Sequence, residues 1–139
     1  MTARARQCGM MHSTFPHPNG WPAPDHRMSL RDLGTLADLL LKDFPQHYPL
    51  FAQRESLFDP TESSNRLNRN PLLALDIGAD GLKTGHTQEA GYGLVGSAKQ
   101  GDRRVNFVST GLENAAGRGE QVEGIGGWAV SEFAEEECV

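Results

Sequence analysis

The chain has 139 residues, 37% of them hydrophobic, with 16 glycines and a formal net charge of −5. That length supports one modest domain around a single core. The acidic balance and the 13 scattered basic residues exclude a nucleic-acid binder, and no apolar run reaches the ~18 residues of a membrane span.

Residues 1–12 read as the end of a helix, with Gly9 as its C-cap. The basic start, Met1 to Arg6, has no apolar stretch after it, so no signal peptide is read there. Cys8 and Cys138 lie near opposite ends, cannot form a disulfide framework, and are read as a reduced pair. Pro16, Pro18, Pro22 and Pro24 with Asn19-Gly20 make residues 13–28 a loop. Ser29 opens the strongest helix of the chain. Ser29 and Asp32 have capping-box spacing, with Asp in place of the usual Glu. Leu30, Leu33, Ala37, Leu40, Leu41 and Phe44 follow at helical spacing until Pro45 ends the helix. Tyr48, Leu50 and Phe51 suggest a short apolar turn. Residues 54–71 are polar, ending in Asn68-Arg69-Asn70-Pro71, and Leu72, Leu73 and Leu75 form an apolar anchor before a loop at Gly78-Ala79-Asp80-Gly81.

A strand carrying Lys83-Thr84-Gly85-His86 comes next. Side chains alternate along a strand, so Lys83 and Gly85 share one face and Thr84 and His86 the other. The expectation is an edge strand paired antiparallel with 92–99, which pairs in turn with 103–110 across the turn Gln100-Gly101-Asp102. A last helix is read over 113–137 from Val122, Ile125, Ala129 and Phe133. It should be weak and frayed, because interior glycines cost ~1 kcal/mol each relative to alanine. Trp21, Trp128 and the leucine stripe are read as core. Asn106 interrupts an otherwise apolar strand and would be costly if buried without a partner.

Four segments carry a joint signal: Pro18-Asn19-Gly20-Trp21-Pro22 with Asp25-His26 and Ser29-Leu30-Arg31-Asp32-Leu33; Asp43-Phe44-Pro45 with Tyr48-Pro49-Leu50-Phe51; Asn68-Arg69-Asn70-Pro71-Leu72-Leu73; and Asp80-Gly81-Leu82-Lys83-Thr84-Gly85-His86-Thr87 running into Ala90 to Ala98. In order and spacing they resemble the low-molecular-mass penicillin-binding proteins, the serine-type D-alanyl-D-alanine carboxypeptidases. Lys-Thr-Gly is one of the motifs of that wider group, beside Ser-x-x-Lys and Ser-x-Asn.

The resemblance implies an α+β architecture: part of the penicillin-recognising serine hydrolase (β-lactamase/transpeptidase-like) fold, with helices covering three antiparallel strands. It implies that residues 1–137 are the C-terminal part of a catalytic domain, without the N-terminal half or the family's β-rich C-terminal domain. The family reaction is acyl transfer: a serine attacks the bond between two terminal D-alanines of a peptidoglycan stem peptide, and water then hydrolyses the acyl-enzyme. β-Lactams bind the same site. By resemblance, Thr84 bonds the terminal carboxylate, Lys83 supplies positive charge, Gly85 lets substrate approach, the His86 N–H donates to an oxyanion hole, and Arg69 lies near substrate. No metal or cofactor is implied, and the family works in the periplasm or on the outer face of the cytoplasmic membrane. No Ser-x-x-Lys occurs in the sequence, and Ser63-Ser64-Asn65 is read as an accidental Ser-x-Asn. The chain alone is therefore expected to be inactive, with an unpaired sheet edge open to self-association. Two alternatives stand beside this reading. One is a non-catalytic remnant or binding fragment, from a pseudogene or truncated product. The other is a small metal-binding protein using Cys8, His12, His17 and His26, whose spacings match no zinc pattern.

Overall fold

The computed structural model describes residues 1–57, 61, 66–117, 119–122, 124, 125 and 128. Helix α1 (Thr2–Gln7) ends where the sequence places its stop. Gly9 takes φ +83°, its N–H bonds Arg6 O at 3.0 Å, and the Met10 N–H returns to Ala5 O at 3.0 Å. These are the two bonds of a Schellman stop, and Met10 and Ala5 are both buried. The loop that follows is closed on itself by an antiparallel bridge between Thr14 and Arg27.

Helix α2 (Leu30–Asp43) is capped by Ser29, whose hydroxyl accepts from the Asp32 N–H. Only half of the expected capping box forms. The Asp32 carboxylate turns away from Ser29 and accepts from the Ser13 hydroxyl (2.6 Å) and the His12 N–H (2.8 Å). The Ser29 N–H donates to Ser13 Oγ instead (3.2 Å). Asp is one methylene shorter than Glu, and the neighbouring loop offers it a better donor. A 3₁₀ turn (Tyr48–Ala52) and a second one (Pro71–Ala74) connect α2 to the sheet.

Strands β1 (Ala79–Thr87), β2 (Gly91–Gln100) and β3 (Arg103–Leu112) form an antiparallel meander in the order β1-β2-β3, as the sequence pattern requires. Gly101, at φ +56°, opens the two-residue turn between β2 and β3, a position that favours glycine. The expected loop at 78–81 is a correction: β1 begins at Ala79, and Asp80 is the extra residue of a bulge between the pairs Ala79–Ala98 and Gly81–Ser97. A bulge absorbs the turn-like composition while keeping the ladder.

Two apolar clusters hold the sheet. Ala37, Tyr48, Leu82 and Val95 pack with Leu33, Leu41, Phe51 and Val108, joining α2 and the first 3₁₀ turn to the strands. Leu72, Leu94 and Val122 pack with Leu75, Ile77, Ala79 and Phe107. Val122 belongs to the last segment, where helical backbone occurs at 115–117, 119–122, 124, 125 and 128. Ala129 and Phe133 lie outside the described residues, as do Ser63-Ser64-Asn65 and Cys138. Gly96 permits the second cluster, since a Cβ there would meet Phe107 at 2.2 Å and Leu72 at 2.5 Å.

Three other expectations need correction. Trp21 is 72% exposed and Trp128 58% exposed, so neither is core. Trp21 rides on the proline loop, where it lines an open apolar groove with Pro22, Met28 and Leu30 rather than entering the sheet-helix interface. The leucine stripe of α2 is buried only in part: Ala37 is enclosed, whereas Leu30 and Phe44 at the helix ends are about half exposed. Asn106 is half satisfied, its Nδ2 donating to Asp38 of α2 at 2.6 Å while its buried Oδ1 finds no partner among the described residues.

Candidate functional site

Arg69, Lys83, Thr84, Gly85 and His86 all line one cleft of about 860 Å³ along β1, one edge of the sheet. Each is placed by a local reason. Lys83 lies opposite Val95 and Thr84 opposite Leu94 in the ladder. Directly opposed residues share a face, so Lys83 and Thr84 project on opposite sides, as the strand periodicity demands. Lys83 is exposed, and its Nζ reaches the Thr84 carbonyl at 2.5 Å. Among the described residues, a Cβ at Gly85 would meet no protein atom within 4 Å. Its bare backbone therefore faces open space, the condition for close approach of another chain or ring. His86 stacks on its ladder partner Tyr92, with centroids 4.0 Å apart. That contact occupies the imidazole and leaves the backbone of the edge strand as the chemically available part. On such a strand every second N–H points out of the sheet.

Arg69 enters the cleft on a segment built by asparagines. Asn68 Nδ2 donates to Gln53 O (2.9 Å), and its Oδ1 accepts from the Asn70 N–H (3.0 Å). Asn70 is only 3% exposed. Its Oδ1 accepts from the Leu72 N–H, capping the second 3₁₀ turn, and its Nδ2 donates to Gly81 O at 3.0 Å. The Asn-Arg-Asn run thus fastens the Arg69 segment directly to β1. Leu50, Phe51 and Leu67 form the apolar wall of the cleft. Gly81 lets that wall approach, because a Cβ there would meet Phe51 Cβ at 3.3 Å, and the Tyr48 hydroxyl behind it at 2.8 Å.

Sequence reasoning missed the polar group behind the strand. Asp80 receives two bonds from the Arg104 guanidinium, Nη1–Oδ1 at 2.6 Å and Nη2–Oδ2 at 2.7 Å. The Tyr48 hydroxyl also donates to Asp80 Oδ1 (2.8 Å), and Arg104 Nη1 reaches buried Ser97 Oγ (2.6 Å). Arg104 lies 5.1 Å from the Tyr48 ring centroid. Burial, against the opposing bond to Ser97 and with the hydrogen bond and charge of Asp80, pushes the Tyr48 hydroxyl up to about 12, so it stays a donor. The Arg104 pKa is raised, chiefly by its bonds to Asp80. A signal existed: in β3, Arg104, Asn106 and Val108 alternate onto one face, and two polar residues facing a helix require partners.

The N-terminal histidines behave differently. His17 and His26 come together with ring centroids 4.9 Å apart. Among the described residues, no group of three or more His, Cys, Asp or Glu could hold a metal ion. Also among them, no helix is long and apolar enough to cross a membrane.

Comparison with known proteins agrees with this geometry. Residues 1–114 match the family described as D-alanyl-D-alanine carboxypeptidase. D-alanyl-D-alanine carboxypeptidase DacC of Escherichia coli (strain K12) is 34% identical over 134 residues, covering 96% of this chain and 33% of the relative. Penicillin binding protein 5 from Haemophilus influenzae superposes with a TM-score of 0.83 at 30% identity, over 94% of this chain and 38% of that one. Penicillin-Binding Protein D2 from Listeria monocytogenes, in its cefotaxime-bound form, gives a TM-score of 0.74 at 26% identity, over 90% and 52%. The chain spans about a third of the length of the curated relatives it matches. A match over most of its length, on the residues that build the cleft, makes this chain a member of the serine-type D-alanyl-D-alanine carboxypeptidase family, with part of the penicillin-recognising fold.

Proposed function

We propose that this chain forms the carboxylate-binding side of a D-alanyl-D-alanine carboxypeptidase site, taking the D-Ala-D-Ala end of peptidoglycan stem peptides and, in its place, β-lactams. The observation that carries the reading is the convergence of Arg69, Lys83, Thr84, Gly85 and His86 on one cleft at an edge of the sheet. Two cations give the cleft a field for an anion, and a hydroxyl gives that anion a direction. The Thr84 hydroxyl donates to the terminal carboxylate, and Lys83 and Arg69 offset its charge. The peptide backbone lies along β1 over Gly85, and the outward N–H at His86 polarises the scissile carbonyl. The acylated serine itself comes from none of these 139 residues by motif, since no Ser-x-x-Lys occurs among them. The reading places the work where peptidoglycan lies, outside the cytoplasmic membrane.

The test is titration of the ¹⁵N-labelled chain with a peptide ending in D-Ala-D-Ala, followed by amide shifts. Shifts confined to 82–86 and 69 are expected, weakened about tenfold in Thr84→Val, the loss expected for a hydrogen bond to a charged group. No saturable shift at these amides, or equal binding of a peptide ending in L-Ala-L-Ala, would overturn the reading. Intact-mass measurement after exposure to a β-lactam should show no adduct on this chain.

We also propose that the outer edge of β3 pairs with a second copy of this chain. Its support is the sheet order, which leaves β3 terminal among the described residues. Light scattering over a concentration series checks this, and a monomer at every concentration refutes it.

A further inference from the structure

The bulge at Asp80 lies three residues before Lys83, and its consequences run along the whole strand. Strand side chains alternate with a period of two, so one residue inserted or removed exchanges the two faces of everything beyond it. Taking Asp80 back into the ladder would move Lys83 onto the face that Thr84 now uses, and Thr84 onto that of Lys83. Seven ladder pairs beyond the bulge, from Gly81–Ser97 to Thr87–Gly91, resist that exchange. Upstream of the bulge stand the pair Ala79–Ala98 and the Lys99 N–H bond to Gly78 O at 2.9 Å.

The Asp80 side chain is held from two other elements. Arg104 reaches it from β3 across the intervening strand, bonding Ser97 of β2 on the way. Tyr48 reaches it from the 3₁₀ turn that also supplies Leu50 and Phe51 to the cleft wall. We propose that Asp80, Arg104 and Tyr48 form a positioning clasp that locks the bulge and, together with those ladder pairs, fixes the faces on which Lys83 and Thr84 meet substrate. The inference rests on the substrate reading given above for Lys83 and Thr84. None of the three clasp residues lines the cleft, so they are positioning residues rather than catalytic ones. The guanidinium fork suits the task because its two parallel bonds fix orientation as well as distance. A lysine at 104 would keep the charge and lose the fork.

The experiment compares Arg104→Met, Arg104→Lys, Asp80→Asn and Tyr48→Phe with Met10→Ala, a destabilising change at the end of α1, away from the clasp. All are measured as the full chain at temperatures giving equal global stability. Amide exchange at 82–86 should quicken about tenfold or more in Arg104→Met and Asp80→Asn, as loss of a charged hydrogen bond implies. It should quicken about threefold in Tyr48→Phe, which loses one neutral donor. Arg104→Lys should fall between these values, and Met10→Ala should match the unsubstituted chain. D-Ala-D-Ala peptide affinity should follow the same order. Exchange at 82–86 no faster in the clasp variants than in Met10→Ala would overturn the proposal. If Arg104→Met does not fold, Arg104→Lys and Tyr48→Phe decide the matter by the same measure. If the unsubstituted chain binds no peptide, the substrate reading fails, and the exchange ranking still tells whether the clasp holds the strand.

Discussion

Asp32 and Asp80 each tie a bend of the chain to a regular element, and they do it with opposite chemistry. Asp32 is 1% exposed and is satisfied by a hydroxyl and a backbone N–H, with no cation in its hydrogen bonds. Asp80 is about one-third exposed and is gripped by a guanidinium of similar exposure. The first fastens residues 12–13 to the start of α2, and the second fastens the start of β1 to β3. A buried carboxylate with neutral donors makes the loop region sensitive to proton concentration. A half-open ion pair makes the sheet region depend on the shape of its partner and, weakly, on salt. The difference teaches that the cleft strand is held by a contact that can be loosened without opening the core.

The largest way to break the comparison is to remove the core beneath the sheet. Leu72 is fully buried between Leu94 and Val122. Leu72→Ala should cost about 2–5 kcal/mol, a large share of the ~5–15 kcal/mol of an ordinary domain. Chemical denaturation would then show the sheet unfolding while 1–33 retains its own hydrogen-bond pattern, or both regions lost together. The second outcome would mean that the two fastenings act within a single cooperative unit.

The next effect sharpens the contrast. The Ser13 hydroxyl, against the opposing effect of burial, and then the His12 N–H and imidazole hold Asp32 below the usual carboxylate range. Because its folded pKa is lowered, the stability it adds is present above the unfolded value of about 3.9. That stability is lost as pH falls through the folded value. Thermal melts from pH 7 downward should show a falling limb below about pH 4, and Asp32→Asn should be less stable at pH 7 and lack that part of the limb. Parallel curves for the two proteins would show that Asp32 does not set the acid response.

The smallest effect belongs to the exposed pair Arg66–Glu55, at 2.7 Å but about half exposed on both sides. Glu55→Gln should change stability by no more than about 0.5 kcal/mol, vanishing in high salt. A larger change would mean that the Glu55–Leu67 bridge carries more of the cleft wall than its exposure indicates.

Much of the fold was legible in local pattern. The Gly9 stop, the Ser29 cap, the end of α2 before Pro45 and the two hairpins are each specified by residues within a few positions of one another. Such signals depend little on distant packing, because they satisfy backbone groups on the spot. The cleft strand was legible for the same reason: Lys83, Thr84, Gly85 and His86 are consecutive, and alternation alone assigns their faces. Asn70 stood only as part of a polar run, and its bond to Gly81 O, which joins the Arg69 segment to β1, required the packed structure.

Only the tertiary structure could decide the rest, since the partners are distant in sequence and chosen by packing. Asp80 looked like a loop residue beside three other small or flexible ones, and became a bulge because Arg104 and Tyr48 arrive there from separate elements. Trp21 looked like core by residue type. Its loop instead closes on itself through Thr14 and Arg27, leaving the ring on an open groove. Asn106 looked like a defect in a strand, and half of its hydrogen-bonding capacity is met by Asp38 on the helix across the interface. Sequence fixes what neighbours along the chain can do to one another. Which distant polar groups meet is settled when burial removes water and leaves each to find a partner.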